Sequence, residues 1–303
     1  MDLFEKCYQW HDADDARAAG IYPYFHEIES KQHSEVLMHN RRTIMLGSNN
    51  YLGLTSDERV IRAAQEALEK FGSGCSGSRF LNGTLTLHTQ LERELAEFMH
   101  KDAVMTWSTG FQTNLGIISA LCGRHDIIFF DRANHASLVD AARLSFAKLV
   151  KYDHNDMQQL EEQLRAADPE KGKLIVVDGV FSMEGDLADL PAITRLAKQY
   201  GARVMVDDSH GIGVMGATGR GTAEYFGLED QVDIIMGTFS KSFASRPTKR
   251  SWIMQCTFQG RTYSALPFRR ATRRQCWRRC TFLLRSRNAP PRFAKTAIIC
   301  AKA

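Results

Sequence analysis

From about residue 57 onward, short apolar runs alternate with amphipathic helical stretches, and this alternation constrains the fold more than anything else in the chain. DERVIRAAQEALEKFG and LHTQLERELAEFMH carry apolar residues at helical spacing, the first behind an Asp cap. AVMTW reads as a strand that turns directly into the helix TGFQTNLGIISALCG. DIIFFD, KLVKYD, KLIVVDGV, ARVMVDD and DIIMGTFS read as further strands, with HASLVDAARLS, DMQQLEEQLRAAD and PAITRLAKQYG as the helices among them. Runs that are apolar throughout belong to strands buried on both faces. The expected fold class is α/β, a mostly parallel sheet covered by helices on both faces. In such sheets ligands sit beyond the carboxyl ends of the strands.

The charge is divided unevenly along the chain. Residues 246–303 hold 15 Lys and Arg and no Asp or Glu, which leaves 24 basic against 35 acidic residues, a net of −11, in residues 1–245. Three parts are expected: an N-terminal arm over 1–56, a large domain over 57–245 and a basic tail over 246–303. The N-terminus is charged from its second residue and has no apolar core of a secretory signal. Cys7, Cys75 and Cys122 are scattered and form no CxxC, which fits a reduced, cytoplasmic chain.

Several motifs carry chemistry, each with a plainer reading beside it. GSGCSG (Gly72–Gly77) has dinucleotide-type spacing but follows a helix rather than a strand, so it reads as a flexible connection. STGFQTN (Ser108–Asn114) suits a phosphate at a helix N-terminus, or is a plain cap by Ser108 or Thr109. VMVDDSHG puts Asp207 at a strand end and His210 three residues on. Asp207, Asp208 and His210 as metal ligands lack a further ligand cluster, so no metal is expected. His135 opens a helix and could be structural. Lys241 ends an apolar run among Thr238, Ser240 and Ser242, where a solvated lysine has little reason to sit. Pyridoxal phosphate accounts for all four together, since it needs a lysine, an acid against its pyridine nitrogen, phosphate donors and a flat group over its ring.

GSNNYLGL, GSRFLNGT, STGFQTNLG, NHASLVD, DGVFSMEGD, VDDSHGIG and GTFSKS, in this order between about Gly20 and Ser245, resemble the α-oxoamine synthase family of fold-type-I pyridoxal phosphate enzymes. GIYPYFHEIES and GSRFLNGT look most like the bacterial serine palmitoyltransferases of that family. Glycine C-acetyltransferases and 8-amino-7-oxononanoate synthases are the near alternatives. The resemblance implies decarboxylative condensation of an amino acid with an acyl-CoA to a 2-amino ketone, by a homodimer. It makes Lys241 the imine lysine and later base, Asp207 the partner of the pyridine nitrogen and His135 the cover of the ring. His210 and Ser182 would reach the ring oxygen. Gly110, Phe111, Thr238 and Ser240 would bind the phosphate, and Asn50 would lie near the substrate carboxylate. A lipid product would bring peripheral membrane association.

After Ser245 the resemblance stops. The family continues with a glycine-rich strand and a small C-terminal domain that supplies an arginine for the substrate carboxylate. Read two nucleotides later, allowed codons for YSALPFRRATRRQCWRR (Tyr263–Arg279) spell FSASIPPGNAAAVLAA, which resembles the family's next segment. A frameshift near Ser245 therefore accounts for the missing acids and the arginines, and makes the spacing of Cys276 and Cys280 accidental. The chain is expected to lack the small domain and to be inactive. The alternative is a non-catalytic fragment with a polyanion-binding tail; RRATRRQCWRRC lacks the patterning of a specific nucleic-acid reader.

Overall fold

Residues 2–243 and 296–297 are described by the structure, a computed structural model. The chain divides into two compact units, Met1–Ser48 and Asn49–Ala303. The first holds two short helices, α1 (Glu5–Tyr8) and α2 (Asp12–Ala18), and an antiparallel hairpin of β1 (Glu35–Met38) and β2 (Arg41–Ile44). His39 and Asn40 take positive φ at its turn, 50° and 57°, as a two-residue turn between right-twisted strands requires.

The second unit begins with α3 (Glu58–Phe71), α4 (Thr86–Phe98) and α5 (Gly110–Leu121). It continues through β3 (Ile127–Asp131), α6 (Ala136–Ser145), β4 (Lys148–Tyr152), α7 (Met157–Arg165), β5 (Lys173–Asp178), α8 (Leu190–Tyr200), β6 (Arg203–Asp207), α9 (Thr222–Tyr225), β7 (Ile234–Met236) and β8 (Thr296–Ala297). The strands form one parallel sheet in the order β4-β3-β5-β6-β7-β8. The remainder of the expected basic tail, 246–303, lies outside the described residues.

Burial explains the unbroken apolar runs. Every residue of β3 is buried. Ile127 and Phe129 face a core shared with Leu160 and Leu164 of α7 and Ile193 and Leu196 of α8. Ile128 and Phe130 face the opposite core, with Ile117 and Ile118 of α5 and Leu138 and Ala141 of α6. Helices thus cover both faces, and each such aliphatic or aromatic side chain contributes about 1.5–3 kcal/mol by leaving water. The helices start where short acceptors cap them. Asp57 accepts from the Arg59 N–H at 2.8 Å, Asp156 from Gln159 at 2.8 Å and Asp189 from Ala192 at 3.0 Å. Gly201, at φ +66°, ends α8 in the left-handed conformation that glycine adopts without penalty.

Two expected strands are corrected. Residues 104–107 form no strand, so α5 is not entered directly from one. The Thr106 N–H is instead taken by Glu92 Oε1 at 2.8 Å, and the Trp107 ring packs onto α5 at Gly116. β7 ends at Met236, so Lys241 lies in the irregular segment beyond the strand rather than at its end. The connection between β3 and β5 runs out to β4 and back across the sheet. The crevice beside that reversal, at the carboxyl ends, is where such sheets bind ligands.

Candidate active site

The carboxyl ends of β5, β6 and β7 open into a cavity of about 290 Å³. Asp178 ends β5 and Asp207 ends β6, and the two are paired in register. Thr109, Gly110, Phe111 and Asn114 reach the cavity from the start of α5, and His135 and Ser137 from the start of α6. Thr238, Ser240 and Lys241 reach it from the segment after β7, with Ser182, Ser209 and His210 from neighbouring loops. Nine of the expected site residues therefore share one wall-to-wall space. Asn50 is not part of that lining; its amide donates to Thr55 Oγ1 at 2.6 Å and its carbonyl accepts from the Thr55 N–H at 3.4 Å.

Asp207 is 6% exposed, and its carboxylate is held from both sides. Asn114 Nδ2 donates to Oδ2 at 2.8 Å, while the Ser209 N–H and hydroxyl donate to Oδ1 at 3.1 and 2.6 Å. Asn114 Nδ2 also reaches Ser137 Oγ at 2.9 Å, and Ser137 Oγ lies 2.7 Å from His135 Nδ1. The Ser137 N–H points at the same Nδ1 from 3.2 Å. A backbone N–H can only donate, so this nitrogen accepts and the neutral ring carries its hydrogen on Nε2. Burial, and then the Asp207 charge, push the Asp178 carboxyl well above the usual range, against the His135 N–H and Lys241, which oppose the shift. His210 is pulled down to about 4 by burial and then by the Lys241 charge, which keeps it neutral at neutral pH. Its Nδ1 lies 2.7 Å from the Tyr51 hydroxyl.

The start of α5 suits an anion. The first N–H groups of a helix have no partner within it. Thr109 Oγ1 takes that of Gln112 at 3.1 Å, leaving those of Gly110 and Phe111 at the cavity. Thr238 Oγ1 and Ser240 Oγ lie 2.8 Å apart beside them. A Cβ on Gly110 would stand 3.4 Å from Met236 Cε and 3.9 Å from Thr238 Oγ1, which puts the start of α5 directly beside these hydroxyls. Two buried oxygens of the lining, Asn114 Oδ1 and Asp178 Oδ1, have no hydrogen-bond partner among the described residues. A buried carboxylate, a helix N-terminus with two hydroxyls and a lysine in one cavity fit pyridoxal phosphate.

Asp208 does not face the cavity: its Oδ2 accepts from the Thr222 N–H at 2.7 Å. Among the described residues, no three His, Cys, Asp or Glu side chains gather as metal ligands. Sequence reasoning missed Asn114, Ser137, Asp178, Ser209 and Tyr51 as individual residues. Asn114 and Asp178 sat inside motifs already singled out, and their polar identity within apolar stretches was the available signal.

The sequence profile of the aminotransferase class I and II family matches residues 41–246. The chain belongs to this family. Among its relatives, a serine palmitoyltransferase of Bacteroides thetaiotaomicron is 57% identical over 243 residues, 80% of this chain and 62% of that one. An 8-amino-7-oxononanoate synthase of Geobacter sulfurreducens is 47% identical over 226 residues, 75% of this chain and 58% of that one. The solved structure of a serine palmitoyltransferase variant from S. paucimobilis, with bound PLP–myriocin aldimine, superposes with a TM-score of 0.77 at 39% identity, covering 81% of this chain and 62% of that one. The sheet with helices on both faces is thus the fold of these enzymes. The chain spans about 62% of the length of these two serine palmitoyltransferases.

Proposed function

We propose that the cavity is the pyridoxal phosphate site of an acyltransferase that condenses an amino acid, serine favoured, with an acyl-CoA and releases carbon dioxide and a 2-amino ketone. The convergence of Asp207, Lys241, His135 and the α5 N-terminus on one cavity carries this reading. The similarity to serine palmitoyltransferases supports serine over the glycine and alanine of the neighbouring activities. When bound, pyridoxal phosphate supplies an electron sink for the substrate α-carbon. Asp207, fixed by Asn114 and Ser209, would keep a proton on the pyridine nitrogen. The Gly110 and Phe111 amides and the Thr238 and Ser240 hydroxyls would hold the phosphate. Ser182 and His210 would hold the ring oxygen, and His135 would cover the ring. Lys241 Nζ would carry the cofactor and later take the α-proton, while Asn50, outside the cavity lining, would orient the substrate carboxylate.

A cytoplasmic homodimer belongs to the same reading. Cys7, Cys75 and Cys122 are unpaired, and no helix among the described residues is long and apolar enough to cross a membrane. A lipid product gives the dimer a reason to associate peripherally with a membrane. Borohydride reduction of the cofactor-loaded protein, followed by peptide mapping, is expected to tag Lys241; a tag on another lysine overturns its role. Acyl-CoA-dependent consumption of serine, glycine and alanine, compared side by side, separates the serine reading from its two neighbours.

A further inference from the structure

Ser182 reaches the cavity from the loop between β5 and α8, which the Val180–Leu187 bridge closes into a hairpin. Inside the hairpin the Phe181 N–H donates to the Asp186 carbonyl at 3.0 Å and the Gly185 N–H to the Phe181 carbonyl at 2.8 Å. What ties it to the sheet is a histidine outside the cavity. His154 Nε2 lies 2.9 Å from Asp186 Oδ2, and its Nδ1 lies 3.0 Å from Asp131 Oδ1 at the end of β3. The ring edge meets Phe181, with centroids 4.4 Å apart. Asn155 continues the tie, donating from Nδ2 to the Leu187 carbonyl at 3.0 Å. Asp131 is itself fixed, accepting from the Ala133 and Asn155 N–H groups at 2.9 Å each.

A carboxylate accepts hydrogen bonds and does not donate them, so both ring nitrogens must carry hydrogen to satisfy both contacts. We propose that His154 is a positioning residue of the cavity: as an imidazolium bridging Asp131 and Asp186, it pins the hairpin that holds Ser182 at the cavity wall, and loss of one proton releases that hairpin. The consequence for a bound cofactor rests on the reading of the cavity given above; the pinning does not.

The charges acting on the ring agree. Burial pulls the His154 pKa down, but the hydrogen bonds and charges of Asp186 and Asp131 outweigh it and the net shift is upward. The neighbouring Arg132 is engaged by Asp153. A histidine whose folded pKa is raised adds stability that is fully present below its unfolded value of about 6.5 and is lost as pH climbs through the folded one. The hairpin should therefore be tight in mild acid and loose in base.

Hydrogen exchange of the full chain without cofactor, at about pH 6 and about pH 9 and corrected for intrinsic rates, tests this. Protection of residues 180–188, measured against β5, is expected to fall about tenfold from the lower to the higher pH, the scale of a lost hydrogen bond to a charged group. His154→Asn, which can reach only one carboxylate, should show the weaker protection at both values. Asp186→Asn, at a half-exposed position, should likewise abolish the pH dependence. Wild-type protection that is the same at both values, a hairpin unprotected even in mild acid, or a His154→Asn variant that keeps wild-type protection would each overturn the proposal. Pyridoxal phosphate titrated at both values should bind more weakly in base. A pH-dependent hairpin in a protein that binds no pyridoxal phosphate leaves the pinning standing and removes the cofactor reading.

Discussion

At the scale of single residues, Asp208 shows how far a side chain's neighbours can override its ordinary chemistry. It is fully buried beside Asp207, and its Oδ1 makes no hydrogen bond of ordinary geometry among the described residues. A Cβ on Gly179, Gly211 or Gly221 would come within 2.6, 2.0 or 1.9 Å of its carboxyl oxygens, so three glycines form the space it occupies. Burial raises its pKa from 3.8 to about 7. An acid that binds its proton more tightly when folded loses stability as pH rises from the unfolded to the folded value, by about 1.4 kcal/mol per pH unit. Asp208→Asn removes that dependence. In urea titrations the variant should gain on the wild type between about pH 4 and pH 7, and the difference should level off above. A stability difference flat across this range would show that Asp208 is not held protonated. The motif VDDSHG shows two adjacent aspartates, but nothing local to it says that one faces the cavity and the other a glycine-lined pocket.

At the scale of elements, α5 carries the cavity wall proposed to hold the phosphate, and its seat depends on Gly116. Helix propensity alone makes Gly→Ala favourable by up to about 1 kcal/mol. Here a Cβ would fall 1.4 Å from Trp107 Cζ3, inside the ring's own volume. Gly116→Ala should therefore destabilise the protein by about 1–3 kcal/mol, the range for overpacked cores. The tryptophan emission should shift to the red as the Trp107 ring moves out toward water. An unchanged or higher melting temperature would mean that α5 can slide along the sheet to make room. The helical pattern of TGFQTNLGIISALCG was legible, and the structure places the start of that helix at the cavity. The absence of a strand before it was not, because Glu92, from a different helix, satisfies the Thr106 N–H that a neighbouring strand would otherwise take.

At the scale of the whole molecule, the question is whether this chain turns over substrate. We propose that residues 246–303 are read out of frame and that the chain as written is inactive. Their 15 positive and no negative charges support this, as does the end of the family match at residue 246. A frame-restored version should consume serine in an acyl-CoA-dependent way, while the chain as written should not. Comparable turnover by both would refute the proposal. So basic a tail should also hold polyanions such as heparin in a manner that weakens steeply with salt, as non-specific charge contacts do.

The amino-acid sequence by itself determined most of the elements and the family. Burial on both faces writes itself into a strand as an unbroken apolar run, and a cap, a glycine stop or a lysine among hydroxyls is a local pattern. Only the tertiary structure decided the partners. Asn114 meets Asp207 across 93 residues, Tyr51 meets His210 across 159, and His154 meets Asp186 across 32. Each pair is brought together by the packing of helices and loops around the sheet. That packing arises from how whole faces fit together, and a polar side chain's immediate neighbours in the chain carry no trace of it.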